Sequence, residues 1–370
     1  MSSLFQSSKI GTLEVPNRLV RSATCEWVCD ANGRADQKLV DMYAALARGG
    51  VGLIITGHAY VTRTGQASPG QIGLYSDELA ESLRPVAEAA HQGGAKIVVQ
   101  INHAGGAAGP DLNDGVEPRA PSSVPLGPDR PTAHAMTDAE IRDMVKAYGY
   151  AARRVKAVGF DGVQLHGAHG YLISQFISPF TNQRADRWGG SFDNRLSFLR
   201  AVCEEVRGQV GADFPMMIKL ASQDFVDGGL TPQDGARIAG RLAGFGVQAV
   251  EVSGGVQVGR NQGNNVRPNI KEQADEAYFL DNARRVRDAT DLPVMIVGGF
   301  RTPEIMERMI EDEGMDFVSL CRPLIHDAEF PNHMRVGSDE RSGCISCNLC
   351  LKNRHAPLRC WYKYPEGDPK

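Results

Sequence analysis

The stretch "LPVMIVGGFRTPEIMERMIEDEGMDFVSLCRPL", residues 292–324, contains the repeating unit that determines the fold class. It begins with a short, continuous apolar run, which is typical of a parallel strand buried on both faces. A glycine pair and a Thr-Pro dipeptide follow, and they predict a helix that begins at Thr302 and Pro303. A second apolar run ends at Cys321 and Arg322. The stretch therefore predicts two parallel strands joined by a helix.

The same alternation extends over most of the chain. Short runs rich in Val, Ile and Leu predict eight strands, at 18–24, 51–59, 95–103, 160–167, 215–222, 247–255, 292–299 and 315–322. Helical patterns lie between them, and one opens with a capping box formed by Thr137 and Glu140. Eight strands that alternate with helices close most simply into a (β/α)8 TIM barrel, an α/β fold. The alternative is an open doubly wound sheet, although no G-x-G-x-x-G follows the first strand.

Composition narrows the class of protein. The chain has 370 residues, of which 42% are hydrophobic and 23% charged, as in soluble globular proteins. A net charge of −4 gives no electrostatic argument for binding nucleic acid or a membrane surface. No apolar run approaches the roughly 18 residues of a membrane span. The opening residues lack the pattern of a secretory signal, so we expect a cytoplasmic protein with mostly reduced cysteines.

The ends of the predicted strands carry the candidate site residues, because the chemistry of a TIM barrel lies at the C-terminal ends of its strands. The loops after the last two strands offer Gly298 and Gly299, then Cys321 and Arg322. Glycines let backbone N–H groups approach a phosphate, and an arginine can bind it through two hydrogen bonds. These loops therefore predict a phosphate site. The alternative is a tight turn with a surface arginine.

Lys219 lies inside the apolar run "PMMIKLAS". An unpaired charge is costly to bury, so the ammonium group either reaches solvent or contacts an anion. One interpretation is a Schiff-base lysine, as in barrel aldolases. Another is a positive charge beside the pyrimidine ring of a flavin, with the amide of Gln100 at the same ring. The residues alone leave both open.

His166 lies at the end of the fourth predicted strand, and His169 and Tyr171 follow it. Two imidazoles so placed fit a metal site, a structural hydrogen-bond network, or a pair of N–H donors to one substrate oxygen. No carboxylate or cysteine accompanies them on their strand, which weakens the metal interpretation. Two donors would stabilise the negative charge that develops on a carbonyl oxygen when hydride reaches an enone. Tyr171 would then return a proton.

These motifs together resemble the Old Yellow Enzyme family of FMN-dependent ene-reductases, and within it the bacterial branch near the 2,4-dienoyl-CoA reductase barrel. The resemblance covers roughly residues 4–330. It rests on "KIGTLEVPNRLVRSAT", "QINHAG", "HGAHGYLISQFISPFTNQRADRWGGSFDNR", "IVGGF" and "CRPL". The long central motif is the most specific of the five. The resemblance implies an FMN-binding barrel over residues 1–332 and a separate C-terminal extension over 333–370.

The resemblance also implies roles for individual residues. Ala23, Thr24 and Gly57 would contact the flavin through the backbone, and Cys25 falls where one branch of the family has a flavin-tuning cysteine. Gln100 and Lys219 would contact the pyrimidine ring, although many relatives have arginine in place of Lys219. The phosphate would be held by Gly298, Gly299, Cys321 and Arg322, with Cys321 replacing the usual glycine. His166 and His169 would bind the electron-withdrawing group of the substrate, Tyr171 would donate a proton, and Trp27 would line the substrate pocket.

The implied function is an NAD(P)H-dependent reductase of activated alkenes, a small-molecule enzyme that needs no nucleic acid or membrane and is compatible with a homo-oligomer. Three alternatives stay open. They are the Schiff-base aldolase, a flavin and iron–sulfur electron-transfer component, and an enzyme that oxidises C–N bonds as amine dehydrogenases do. A paired donor site suits a carbonyl better than an amine.

The extension contains four cysteines, Cys344, Cys347, Cys350 and Cys360, in the pattern C-x2-C-x2-C-x9-C. Such spacing is typical of a bound metal or cluster. Dienoyl-CoA reductases hold a [4Fe–4S] cluster with a similar motif, but with three residues between the second and third cysteines and a longer final gap. A [4Fe–4S] cluster, a structural zinc ion and free thiols are all compatible with this pattern. Because the relatives continue into an electron-donating module that this sequence lacks, a cluster would call for a redox partner protein.

Overall fold

A computed structural model describes residues 2–127, 132–256 and 265–365 of the chain. Eight parallel strands form a closed barrel, because the last strand pairs with the first. They are β1 (Leu19–Arg21), β2 (Leu53–Ile55), β3 (Lys96–Asn102), β4 (Gly162–Gly167), β5 (Met216–Ala221), β6 (Ala249–Ser253), β7 (Val294–Val297) and β8 (Phe317–Leu320). Each lies inside the run predicted for it. Closure confirms the (β/α)8 barrel and excludes the open sheet.

The helices of the described residues surround this barrel. They are α1 (Gln37–Arg48), α2 (Asp77–Glu81), α3 (Arg84–Gln92), α4 (Asp138–Ala157), α5 (Leu172–Ile177), α6 (Phe192–Arg195), α7 (Ser197–Val210), α8 (Pro232–Leu242), α9 (Leu280–Ala289), α10 (Pro303–Glu311), α11 (Arg322–His326) and α12 (Phe330–Arg335). No helix of these described segments is long and apolar enough to cross a membrane.

Two local predictions need correction. The pattern over 77–94 predicts one helix, but α2 and α3 are separate because Pro85 has no N–H to donate to the carbonyl oxygen of Glu81, and its ring would clash with that carbonyl in a continuous helix. Thr302 was expected to cap α10 with its side chain. Its hydroxyl instead donates to Glu276 Oε1 at 2.8 Å, and it makes no cap hydrogen bond. The capping box of Thr137 and Glu140 on α4 is confirmed.

The barrel interior changes from apolar to polar along its axis. A hairpin of Ser8–Ile10 and Leu13–Val15 covers one end of the barrel. Its apolar side chains pack against inward-facing apolar side chains of the strands. Side chains two positions apart on a strand share a face. Met217 on β5 and Ala249 on β6 belong to this apolar layer, so Lys219 and Glu251 lie directly above it. The polar layer is thus set at the C-terminal ends of the strands.

The segment after α12 packs on the same end of the barrel. Ser342 N–H donates to Arg301 O at 2.8 Å, and Asn269 N–H donates to Ser346 O at 2.9 Å. Leu358 N–H donates to Glu26 O at 2.8 Å. Helix α12 runs across the boundary expected between 332 and 333. The cysteine-rich segment therefore covers the end of the barrel on which the site residues lie.

Candidate active site

A cavity of about 620 Å³ opens at the C-terminal ends of the barrel strands. It brings together most of the residues that the sequence analysis selected. Those that line it are Ala23, Thr24, Cys25, Trp27, Gln100, His166, His169, Tyr171, Lys219, Gly299, Cys321 and Arg322. The cavity also receives residues from the cysteine-rich segment, among them Asn348 and Arg354.

Two predicted residues, Gly57 and Gly298, do not line this cavity. Gly57 N–H donates to Glu26 Oε1 at 2.7 Å, and a Cβ at Gly57 would lie 2.2 Å from Glu26 Oε2. Gly298 O accepts a hydrogen bond from Tyr278 N–H at 3.2 Å, and Tyr278 does line the cavity. Both glycines therefore stand behind the cavity wall, where a side chain would displace a buried neighbour.

Lys219 contacts an anion of this chain. Its Nζ lies 2.8 Å from Glu251 Oε1 and donates to Ser22 Oγ at 2.9 Å. Both ionised side chains are almost completely buried. Burial acts to raise the pKa of Glu251, but the charge of Lys219 and several hydrogen bonds outweigh it, so the net pKa is lowered. The lysine is thus held as a paired ammonium group at the floor of the cavity.

Two amides extend this network to Gln100. Gln164 Nε2 donates to Glu251 Oε2 at 2.9 Å, and Gln100 Nε2 donates to Gln164 Oε1 at 2.7 Å. Because one amide proton of Gln100 is used in this way, its carbonyl oxygen is oriented by the network as well. Gln100 and Lys219, which are far apart in sequence, therefore act as one polar floor.

Three imidazoles and a phenol face each other on one wall of the cavity. The His166 ring lies 5.0 Å from His169 and 4.8 Å from Tyr171, measured between ring centroids. His58, which follows β2, lies 5.0 Å from Tyr171 and 5.8 Å from His166. The loop after β4 brings His169 in because that residue adopts a left-handed backbone conformation with φ of 61°.

Burial keeps these imidazoles neutral. It lowers the pKa of His58 to about 4 and that of His169 to about 3. Burial also lowers the pKa of His166 well below its usual value, with the neighbouring histidines and Lys219 adding to the effect. A neutral imidazole offers one N–H donor and one acceptor. The wall is therefore polar without carrying a charge near pH 7.

The hydrogen-bond partners assign the roles of particular ring nitrogens. His58 Nδ1 lies 2.9 Å from Asn102 Nδ2 and 3.2 Å from Gln71 Nε2. Both neighbours are amide donors, so His58 Nδ1 accepts and its proton resides on Nε2. His169 Nε2 lies 2.7 Å from Ser253 Oγ. His166 Nδ1 is buried and has no hydrogen-bond partner among the described residues.

The predicted phosphate site lies where the loops after β7 and β8 line the cavity. Gly299 has a φ of +78°, and Arg322 begins α11. Arg322 Nη1 donates to Arg267 O and to Asn348 Oδ1, each at 2.8 Å. Ser319 Oγ is buried there without a hydrogen-bond partner in the described part of the chain. An oriented arginine and an unsatisfied hydroxyl fit a bound phosphate group.

The four cysteines of the extension line one small cavity together with Arg322 and Asn348. Cys344 Sγ accepts a hydrogen bond from Ser346 N–H at 3.5 Å. Burial raises the pKa of Cys350 to about 12, and it raises the pKa of Cys344 as well. Within residues 2–127, 132–256 and 265–365, no three His, Cys, Asp or Glu side chains are arranged to hold a single metal ion.

Several cavity residues were not selected from the sequence as site residues. Ser253 on β6 and His58, which lies within the second predicted strand, line the cavity, and Glu251 lies behind its floor, where it pairs with Lys219. The alternating pattern of β6 gave a signal for Glu251, because a carboxylate inside an apolar strand needs a partner. Arg354 had no sequence signal, since only the path of the cysteine-rich segment brings it to the cavity.

Comparison with known proteins agrees with this geometry. A model of the NADH:flavin oxidoreductase / NADH oxidase family matches residues 3–340. The NADH oxidase of Thermoanaerobacter brockii is 37% identical over 364 residues, which cover 97% of this chain and 55% of that protein. The N,N-dimethylglycine/sarcosine dehydrogenase of Chromohalobacter salexigens is 31% identical over 362 residues, covering 96% of this chain and 52% of that protein. The chain thus spans about half the length of these curated relatives.

A solved structure extends the similarity to three dimensions. A complex of 2-naphthoyl-CoA reductase with 2-naphthoyl-CoA superposes with a TM-score of 0.88 at 27% sequence identity. The superposition covers 97% of this chain and 56% of that chain. The similarity therefore includes the cysteine-rich segment as well as the barrel.

Proposed function

The chain belongs to the NADH:flavin oxidoreductase / NADH oxidase family of FMN-dependent oxidoreductases, which confirms the resemblance to Old Yellow Enzyme. From that premise we propose that it is an ene-reductase. It takes electrons from NADH or NADPH and reduces the C=C bond of an α,β-unsaturated carbonyl compound. Bound FMN supplies the hydride transfer between the two.

The cavity residues fit FMN. Lys219 and Gln100 would contact the pyrimidine ring, where a fixed positive charge stabilises a reduced, anionic ring. Arg322 and Gly299 would hold the phosphate, and the unsatisfied hydroxyl of Ser319 adds a donor there. Gly57 and Gly298 would act indirectly, by keeping the wall of the cavity in place.

The observation that carries the proposal is the group of neutral imidazoles around Tyr171. Neutral N–H donors can stabilise negative charge on the carbonyl oxygen of the substrate as it develops. His166 and His169 would supply these donors, so the Ser253 hydroxyl would accept from His169 only until substrate arrives. Tyr171 would donate the proton to the α-carbon of the substrate.

The aldolase alternative is disfavoured by the state of Lys219. A Schiff base requires an unprotonated amine, which has a free electron pair. The ammonium group of Lys219 is instead paired with Glu251 and also donates to Ser22. Oxidation of a C–N bond remains the second candidate, because one relative is named as a dimethylglycine/sarcosine dehydrogenase.

For the extension, we propose a [4Fe–4S] cluster held by Cys344, Cys347, Cys350 and Cys360. The support is that all four line one cavity, which lies beside Arg322. A tetrahedral zinc site would need four sulfurs within about 4 Å of one another, given a Zn–S distance of about 2.3 Å. In the described part of the chain, no three His, Cys, Asp or Glu side chains are arranged around one such point.

The test is the visible spectrum of the freshly purified protein, with turnover measured on the same sample. We expect an oxidised flavin spectrum that NADH or NADPH bleaches and that cyclohexenone restores. A colourless protein would contradict the flavin proposal. A flavin that dimethylglycine bleaches and cyclohexenone does not restore would instead favour the amine dehydrogenase.

A further inference from the structure

Arg354 brings a positive charge to the cavity from the cysteine-rich segment. The segment that carries it is fixed at both ends. Asn348 receives a hydrogen bond from Arg322 Nη1 at 2.8 Å and donates to Val266 O at 3.2 Å. Leu358 N–H donates to Glu26 O at 2.8 Å. Between these two fixed points, Leu351, Lys352 and Arg354 line the cavity.

Arg354 lies in the cavity that contains the imidazoles proposed to bind the substrate. It lines the same cavity as His58 and Cys25. Burial lowers the pKa of His58 and the charge of Arg354 adds to this effect, whereas the same charge slightly opposes the rise that burial causes in the pKa of Cys25. His58 in turn contacts Tyr171, with 5.0 Å between the ring centroids. The guanidinium group therefore shares the cavity with the wall of imidazoles and acts electrostatically on His58.

The charge of Arg354 is not balanced by the cavity wall. Among the described residues that line the cavity, Asp and Glu are absent. Lys219 is neutralised by Glu251 from behind the wall, and Arg322 would face the flavin phosphate. Arg354 and its neighbour Lys352 form no ion pair and no side-chain hydrogen bond within the described part of the chain. An acidic protein of net charge −4 thus presents two unpaired cations in this cavity.

We propose that Arg354 binds an anionic group of the substrate, so that the enzyme prefers activated alkenes that carry a carboxylate or phosphate. Lys352 adds positive potential in the same cavity. The proposal rests on the proposed ene-reductase function and specifies its substrate class. An anion beside an unpaired guanidinium gains a charge-assisted hydrogen bond, whereas a neutral analogue leaves the cation unpaired. A cationic amine would be repelled.

The experiment compares two enones that share one skeleton, of which one carries a carboxylate and the other the uncharged methyl ester of that group. They are 4-(3-oxobut-1-enyl)benzoate and its methyl ester, and the readout is the ratio of their kcat/KM values. We expect the holoenzyme to favour the carboxylate and R354Q to lower that ratio by about 10-fold or more, because a charge-assisted contact is lost. R354K should recover part of it. The remote surface variant K9Q removes the same charge and should leave the ratio as it was.

An unchanged ratio in R354Q would overturn the proposal. The phosphates of the nicotinamide donor are the other source of negative charge, so reduction of the flavin by NADPH is measured separately. A loss of NADPH affinity in R354Q with an unchanged enone ratio would assign the arginine to the donor and would also overturn the proposal.

A second measurement keeps this proposal separate from the ene-reductase function. Benzoate and benzamide are titrated against the oxidised holoenzyme, with the flavin absorbance as the readout and no turnover. Tighter binding of benzoate, lost in R354Q, supports the anion site even if neither enone is reduced. Equal binding of the two probes to the unsubstituted holoenzyme would contradict it.

Discussion

Lys219 on β5 and Glu251 on β6 lie side by side in the parallel register and form an ion pair, with 2.8 Å between Nζ and Oε1. The pair is buried, and hydrogen bonds from Ser22 and Gln164 satisfy the carboxylate further. Taking either charge away would leave the other without a partner in the barrel. This pair links the stability of the fold to the floor of the proposed flavin site.

The first prediction concerns Glu251→Gln. It should lower the free energy of unfolding by about 3–5 kcal/mol, since an uncompensated ammonium group stays buried. Urea unfolding of the variant measures this. The double variant K219M/E251M removes both charges, so its free energy of unfolding should fall by less than that of the single variant. A single variant as stable as the unsubstituted protein would contradict the buried pair.

The same carboxylate predicts a pH dependence at acid pH. The pKa of Glu251 is lowered in the folded protein, so the unfolded chain binds the proton more readily. The stabilising contribution is therefore complete above the unfolded pKa of about 4.3 and is lost as pH falls through the lower folded value. Urea midpoints measured between about pH 6 and pH 3 should decline less steeply in K219M/E251M.

The imidazole wall predicts a second pH effect with its onset at higher pH. The pKa of His58 is about 4 in the folded protein, against an unfolded value of about 6.5. Between these values the unfolded chain binds more protons, so stability falls as pH falls. The slope per imidazole is up to about 1.4 kcal/mol per pH unit. H58Q should flatten the decline of the unfolding free energy, and the exposed variant H355Q should not.

The paired histidines predict a separation of binding and turnover. Replacing His166 and His169 together by Ala should leave FMN bound and reduce enone turnover by about 10²-fold or more, as when oxyanion donors are lost. Reduction of the flavin by NADPH is the internal control, because no negative charge develops on a carbonyl oxygen in that step. Turnover that stays within about twofold of that of the unsubstituted enzyme would contradict the proposed role of the two histidines.

The cysteine-rich segment predicts bound iron. We expect anaerobically purified protein to contain about four iron and four sulfide ions per chain, the content of one [4Fe–4S] cluster. The substitution Cys347→Ser should abolish the bound iron and sulfide. Cys203→Ala, at a buried cysteine of α7, should leave the iron and sulfide content unchanged. Stoichiometric zinc, or neither metal in any preparation, would contradict the cluster.

Most strands and helices of this protein can be predicted from the sequence, because they follow from local patterns of residues. The eight strands follow from short continuous apolar runs, and the helices follow from caps and amphipathic spacing. The corrections are local as well. Pro85 splits a helix, and the hydroxyl of Thr302 contacts Glu276 instead of its own helix. Pro85 lies within the pattern but lacks the N–H that would continue the helix, whereas Glu276 lies far from the pattern of α10 and competes for the Thr302 hydroxyl.

The sequence by itself determined the alternation of eight strands with helices, the strand-end position of His166 and His169, and the presence of Lys219 in an apolar strand, where its charge needs either solvent or an anion. Only the tertiary structure decided that this anion is Glu251, that His58 joins the imidazoles, and that Arg354 reaches the cavity. It also placed Gly57 and Gly298 behind the wall. The physical reason is that closure of a parallel barrel and the path of a covering segment join residues far apart along the chain, and local periodicity does not encode those distances.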